Sequence, residues 1–306
     1  MPADEDTANV LSRLSDSLAA AVERAGTSTV TVSARARIAA SGIAWPGDGL
    51  VVTCDHVIER DDEITVGLPS GEEAKATLVG RDPGSDLAVL RVAGHSLAPA
   101  ELVPAGEARV GHIVLAVGRP AAGDPMASLG VISTIGGPWR TMRGGHIDGY
   151  IRTDTTFFPG FSGGPLVDAM GRVVGVNSSR LGRGAGVTIP AAATANVVDT
   201  LVKQGRILRG WLGVASQPAR LPAALAAKLD GQESGLLLVM VEASSPAEQA
   251  GLLMGDILVS MAGSAVADTD DLQAQLGPES VGQPRELKVL RGGNPLMLTI
   301  TVGERK

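Results

Sequence analysis

The run Phe158-Pro159-Gly160-Phe161-Ser162-Gly163-Gly164-Pro165-Leu166 sets a serine between glycines on a stretch that must turn sharply. A serine hydroxyl becomes a nucleophile when the backbone exposes it and turns N–H groups toward the developing oxyanion, and flanking glycines permit that geometry. A plain Gly-Pro turn between strands is the alternative. Against it, an apolar run begins at Pro165 and a hairpin signal follows at Met170-Gly171. Such a serine needs a base, and the chain has four histidines, His56, His95, His112 and His146. The last three each follow a glycine, as turn residues do. His56 instead closes the β-prone run Val51-Val52-Thr53-Cys54-Asp55-His56. A carboxylate would orient the imidazole and stabilise its cation. Asp86 stands just ahead of the apolar run Leu87-Ala88-Val89-Leu90. In isolation an aspartate there is an ordinary turn residue, and the order His, Asp, Ser gives it weight.

These side chains need a framework. Residues 8–25 place Leu11, Leu14, Leu18, Val22 and Ala25 on one helical face, with Thr7 as N-cap and Gly26 as terminator. Short β-prone runs follow at 29–32, 49–53, 63–68, 74–79, 87–92 and 113–117, broken by Gly, Pro and Asp clusters. A second series covers 127–134, 149–152, 165–167, 172–177 and 185–189. Many short strands with short turns predict a sandwich or barrel, and two such series suggest two barrels. Pro190 opens a helix that runs to Lys203 and stops at Gly205. From Gly210 strands alternate with short helices, which predicts a compact mixed α/β domain.

Composition excludes several classes. A net charge of −7, with no basic run longer than two residues, argues against a nucleic-acid partner. The histidines show no metal-ligand spacing, so no metal or other cofactor is implied. No uninterrupted apolar stretch approaches the roughly 18 residues of a membrane helix; the longest candidate, 184–198, is broken by Pro190. Cys54 is the only cysteine, which rules out an intramolecular disulfide, and Asp4, Glu5 and Asp6 reverse the charge of a signal peptide's start. The chain as written is therefore expected in the cytoplasm, or outside it if a leader has been removed. Aromatics at 2% and 40 glycines suit many short strands and turns.

The segments 53–57, 81–90, 153–168 and 245–266 together resemble the HtrA/Deg family of trypsin-fold serine proteases over nearly the full length. The resemblance implies a mainly β protein, a chymotrypsin-like double β-barrel followed by a mixed α/β PDZ domain. Its expected divisions are an N-terminal amphipathic helix at 1–27, a protease domain at 28–205 and the PDZ domain at 206–306. It implies His56 as general base, Asp86 as its orienting carboxylate, Ser162 as nucleophile, and the N–H groups of Gly160 and Ser162 as oxyanion hole. Ser178 is implied as a hydrogen-bond partner of Asp86 and is grouped with Thr156 and Phe157 in the substrate pocket. Thr156, six residues before the serine, stands where a carboxylate would select Arg or Lys, so cleavage after small or medium aliphatic residues is expected. The segment Arg209-Gly210-Trp211-Leu212-Gly213-Val214 resembles the PDZ loop that binds a terminal carboxylate. Trp211, Leu212, Gly213 and Val214 would hold the peptide, with Leu272 and Leu276 on the opposite wall.

The implied function is an ATP-independent endopeptidase acting on unfolded or damaged polypeptides through an acyl-enzyme. A PDZ domain would bind C-terminal peptides, and the N-terminal segment would assemble a homotrimer. The chain departs from the family pattern, and Phe157 and Phe158 bring further bulk into the loop that would line the substrate pocket. Cys54 stands where many members have Asn, and Phe161 replaces the Asn that usually precedes the serine. Phe161 motivates a second reading, an inactive barrel serving as a PDZ-dependent binding scaffold or chaperone.

Overall fold

The computed structural model describes residues 5–36, 38–121, 123–141, 145–182, 186–229 and 231–305. It divides into two units, Met1–Ile207 and Leu208–Lys306. The first unit opens with helix α1 (Glu5–Gly26), which starts ahead of Thr7, so that residue lies inside the helix and does not cap it. Only the last turns dock: Ala21 and Ala25 are buried and Leu18 and Val22 pack against the same core, while Leu11 and Leu14 stay exposed.

Strands β1 (Thr29–Ser33), β2 (Ala40–Ala44), β3 (Leu50–Thr53), β4 (Ile64–Gly67), β5 (Glu73–Asp82) and β6 (Leu87–Val92) close the first barrel, in the order β1-β2-β3-β6-β5-β4. β2 has no counterpart among the sequence-predicted strands. Ala-Ser-Gly-Ile-Ala carries little β-branched content, yet every residue of it is buried. Small residues are needed there: a Cβ on Gly42 would meet Val51 at 2.8 Å and Val32 at 2.9 Å.

The second barrel begins with β7 (Ile113–Gly118) and β8 (Met126–Gly136). A small ribbon of β9 (Trp139–Arg140) and β10 (His146–Ile147) follows. Then come β11 (Tyr150–Thr153), β12 (Pro165–Asp168), β13 (Val173–Ser178) and β14 (Val187–Pro190), closing in the order β11-β14-β13-β12-β7-β8. The expected start of the last strand, Ala185, lies outside the described residues. Helix α2 (Ala191–Gln204) runs from Pro190 to Gly205, whose φ of 74° and bond to Leu201 O end it in a left-handed cap. Val198 and Leu201 are buried in the first unit's main core. Arg206 still bridges to Arg81, which keeps the chain with this unit beyond the helix stop.

The second unit holds β15 (Gly210–Trp211), β16 (Val214–Arg220), α3 (Ala223–Ala226), β17 (Ser234–Val241), α4 (Pro246–Gln249), β18 (Ile257–Met261), β19 (Ser264–Ala265), α5 (Thr269–Ala274), β20 (Pro284–Arg291), β21 (Asn294–Thr301) and β22 (Gly303–Glu304). Its main sheet runs β16-β17-β18-β20-β21 and packs Leu236, Leu238, Leu258, Leu287 and Ile300 into one core. Ser245 caps α4 by accepting the Glu248 N–H, and Glu248 accepts the Ser244 N–H in return. Just ahead of β18, burial alone would raise the Asp256 carboxyl. Hydrogen bonds from Arg291 and the Leu253 N–H instead hold it below the ordinary carboxylate range.

Candidate active site

His56 lies on a single 3-10 turn, Asp55–Val57, immediately after β3. Two anchors hold that turn. The buried Asp55 accepts from Arg81 Nε at 2.6 Å, and Arg81 also donates to the carbonyls of Asp55 and Ile58. Burial would lower the Arg81 guanidinium, but its bonds and ion pairs with Asp55 and Asp61 hold it above its usual range. The Asp55 N–H in turn donates to Asp86 O at 3.0 Å.

Asp86 sits between β5 and β6 with φ at 59°, a left-handed conformation that Asp tolerates better than most residues. Its carboxylate accepts from the His56 N–H at 3.1 Å and lies 2.8 and 2.9 Å from His56 Nδ1. An accepting carboxylate assigns the proton to Nδ1 and leaves the lone pair on Nε2. The Ser178 hydroxyl donates to Asp86 Oδ2 at 2.5 Å. Ser178 is fully buried, so its hydroxyl serves Asp86 and offers a substrate no surface. Cys54 packs beside this pair, its thiol directed to Asn177 O at 3.3 Å. Burial first, and the Asp86 charge second, push that thiol well above its ordinary range, which keeps it protonated and unreactive. Cys54 Sγ, a ring nitrogen of His56 and an Asp86 oxygen lie within 4.8 Å of one another. A metal could use these donors only by breaking the His56–Asp86 bond and ionising the buried thiol.

Ser162 comes from the second barrel, on the loop between β11 and β12. Gly160 and Gly163 have φ of 87° and 84°; a Cβ on Gly163 would lie 2.2 Å from Ser41 O. Phe161 points inward, with no exposed surface, and meets Phe158 edge-on at 5.3 Å between centroids. Gly118 makes room for its ring: a Cβ there would lie 2.6 Å from it. Packing thus anchors this loop where an asparagine would use hydrogen bonds. Among the described residues, the N–H groups of Gly160 and Ser162 make no hydrogen bond and are free for an incoming oxygen. The Ser162 hydroxyl pairs with Ser179 Oγ at 2.8 Å, and among the described residues it makes no hydrogen bond to His56.

Ser41, on β2, ties the two halves together. Its N–H donates to Ser162 O, its hydroxyl donates to Gly160 O at 2.7 Å, and the Arg119 N–H donates to that hydroxyl. Sequence reasoning missed both Ser41 and Ser179. The only local trace of the second is the serine pair at the end of β13, and Ser41 has none. Of the pocket residues, Thr156 is exposed and its carbonyl accepts from Ser128. Phe157 is half-buried, its ring against Gly186, where a Cβ would lie only 2.1 Å away.

In the second unit, residues 210–216 line one side of a groove of about 280 Å³, and Thr269, Leu272, Gln273 and Leu276 line the other. Leu212 and Gly213 have N–H groups without a hydrogen-bond partner among the described residues. Gly213, at φ 82°, has Ser245 Cβ 2.2 Å from where its own would be. Leu272 and Leu276 reach the groove but are buried chiefly in the core with Leu212.

Two closed six-stranded barrels, with an Asp–His pair on one and a glycine-flanked serine on the other, define the trypsin-like class of peptidase. A profile described as "Trypsin-like peptidase domain" matches residues 40–176, and one described as "PDZ domain" matches 211–302. Among solved structures, the HtrA-type protease AlgW with a decapeptide is 30% identical, with a TM-score of 0.72 over 94% of this chain and 99% of that one. A serine endoprotease from Yersinia pestis is 28% identical, with a TM-score of 0.74 over 94% and 98%. Curated relatives include the "Probable periplasmic serine endoprotease DegP-like" of Ectopseudomonas mendocina, 35% identical over 268 residues. The protein of the same name from Halomonas elongata is 37% identical over 269 residues. Each alignment covers 86% of this chain and 56% of the relative, so the chain spans little more than half the length of either. The chain belongs to the HtrA/Deg family of serine proteases.

These relatives overturn the cytoplasmic placement, because they are named as periplasmic enzymes. The features behind that placement do not discriminate: a buried lone cysteine forms no disulfide in either compartment, and no helix among the described residues is long and apolar enough to cross a membrane.

Proposed function

We propose that this chain hydrolyses peptide bonds of unfolded polypeptides through an acyl-enzyme. Ser162 Oγ attacks the scissile carbonyl carbon while His56 Nε2 takes its proton. The Gly160 and Ser162 N–H groups receive the oxyanion. His56 returns the proton to the leaving amine, and a water, deprotonated by the same nitrogen, releases the acid product. Asp86 holds the imidazole in the required tautomer. The observation that carries this reading is the Asp86–His56 pair, already formed at 2.8 Å, beside a serine turn whose Gly160 and Ser162 N–H groups have no partner among the described residues. The binding-only reading loses its support, since the Phe161 ring is a packed anchor that leaves the turn open.

The second unit binds peptides by their C-terminal carboxylate, a reading supported by the Leu212 and Gly213 N–H groups beside the groove, which have no partner among the described residues. Exposed Leu11 and Leu14 on α1 support assembly of three copies through that half-helix. Phe157, Thr156 and the absence of a carboxylate six residues before Ser162 support cleavage after Val, Ala or Leu. Digestion of unfolded casein, with fragments mapped by mass spectrometry, tests both activity and specificity. Ser162→Ala is expected to lower kcat by about a million-fold with the fold unchanged. Substantial turnover by that variant would overturn the mechanism, and a majority of cuts after Arg or Lys would overturn the pocket.

A further inference from the structure

We propose that Ser179 is a positioning residue that parks the Ser162 hydroxyl away from His56 before substrate arrives. The proposal rests on Ser162 being the nucleophile. Ser162 Oγ lies 2.8 Å from Ser179 Oγ and accepts the Ser179 N–H at 3.3 Å. Among the described residues it has no other hydrogen-bond partner. A hydroxyl carries one proton and occupies one staggered well at a time. In the well that reaches Ser179, Oγ is out of hydrogen-bond contact with His56, and proton transfer requires rotation about χ1 to break that pair.

The chain direction explains how neighbouring serines take opposite tasks. β13 ends at Ser178 and the chain bends at Ser179, so the two side chains leave in different directions. Ser178, the last residue of β13, sends its hydroxyl inward to Asp86 at 2.5 Å. Ser179, one step on, is exposed and sends its own toward Ser162. One serine thereby secures the base, and the next restrains the nucleophile. Because the second contact sits at an exposed edge, water can replace it, so the restraint is a small one.

The test compares the wild type with Ser179→Ala and Ser179→Thr, using the rate at which a small fluorophosphonate labels Ser162. Labelling needs the nucleophile and its base but little of the peptide-binding surface. Ser179→Ala is expected to label about 2- to 5-fold faster, the effect of one net hydrogen bond at an exposed edge. Ser179→Thr, which keeps the hydroxyl, should stay near the wild-type rate. A merely structural role predicts slower labelling in both. Thermal melts establish that the variants are folded, and Ser179→Gly serves the same comparison if Ser179→Ala melts early. Equal or slower labelling of Ser179→Ala, or equal acceleration by Ser179→Thr, overturns the parking role alone. Absence of Ser162 labelling in every form overturns the nucleophile assignment and the proposal with it.

Discussion

On the His56 side of the site the carboxylate and the imidazole Nδ1 are already held by hydrogen bonds, whereas on the Ser162 side two backbone N–H groups have no partner among the described residues. The Asp86 carboxylate accepts from the His56 N–H, from His56 Nδ1 and from Ser178, and its carbonyl accepts the Asp55 N–H. Across the gap, the Gly160 and Ser162 N–H groups have no partner among the described residues, and the Ser162 hydroxyl is held by an exposed serine. The contrast follows from what each side must do. A base acts by staying in one tautomer and orientation, so its bonds are best made before substrate binds. An oxyanion hole must keep its donors vacant for charge that appears only during reaction.

Three substitutions would break or sharpen this contrast. The largest effect is expected from Asp86→Asn. Asparagine also tolerates the positive φ of this position, so the backbone should stand while the imidazole takes the wrong tautomer, and kcat should fall by about 10⁴. A loss below tenfold in casein hydrolysis would mean that the base is oriented by something else. Next comes Phe161→Ala, which empties the packed space under the serine turn. It should cost about 3–5 kcal/mol of stability, read as a lower midpoint in denaturant, with activity lost in step with folding. An unchanged midpoint would show that the ring does not anchor the loop. The smallest effect belongs to Ser178→Ala. It removes one of the three carboxylate bonds and the acceptor of the Arg180 and Leu181 N–H groups but leaves His56 in place, so kcat should fall roughly tenfold with a lower melting midpoint. A fall as deep as that of Asp86→Asn would make Ser178 as essential as the carboxylate itself.

Much of this site is legible in the chain because its parts are local. The glycines around Ser162, the β-prone run ending at His56 and the turn before Leu87 each announce a geometry that depends on a residue and its neighbours. The helix between Pro190 and Gly205 is read in the same way, since both punctuation marks act through their own backbone angles. β2 escaped because its residues are chosen for the space left by Val32 and Val51, which belong to other strands. The resemblance offers Ser178 both as a partner of Asp86 and as a pocket residue, and its burial against Asp86 decides for the first.

The pattern of residues alone determined the mainly β framework and the helix stops, because these follow from periodicity and from allowed backbone angles, while the roles of the three central side chains came from the family resemblance. Closure of the two barrels decided the rest. Ser41 reaches Gly160 across 119 positions, Phe161 fills space beside Gly118, and Ser179 competes with His56 for one hydroxyl. Each of these depends on the distance between atoms remote in sequence, and that distance is set only when the strands have paired and the core has packed.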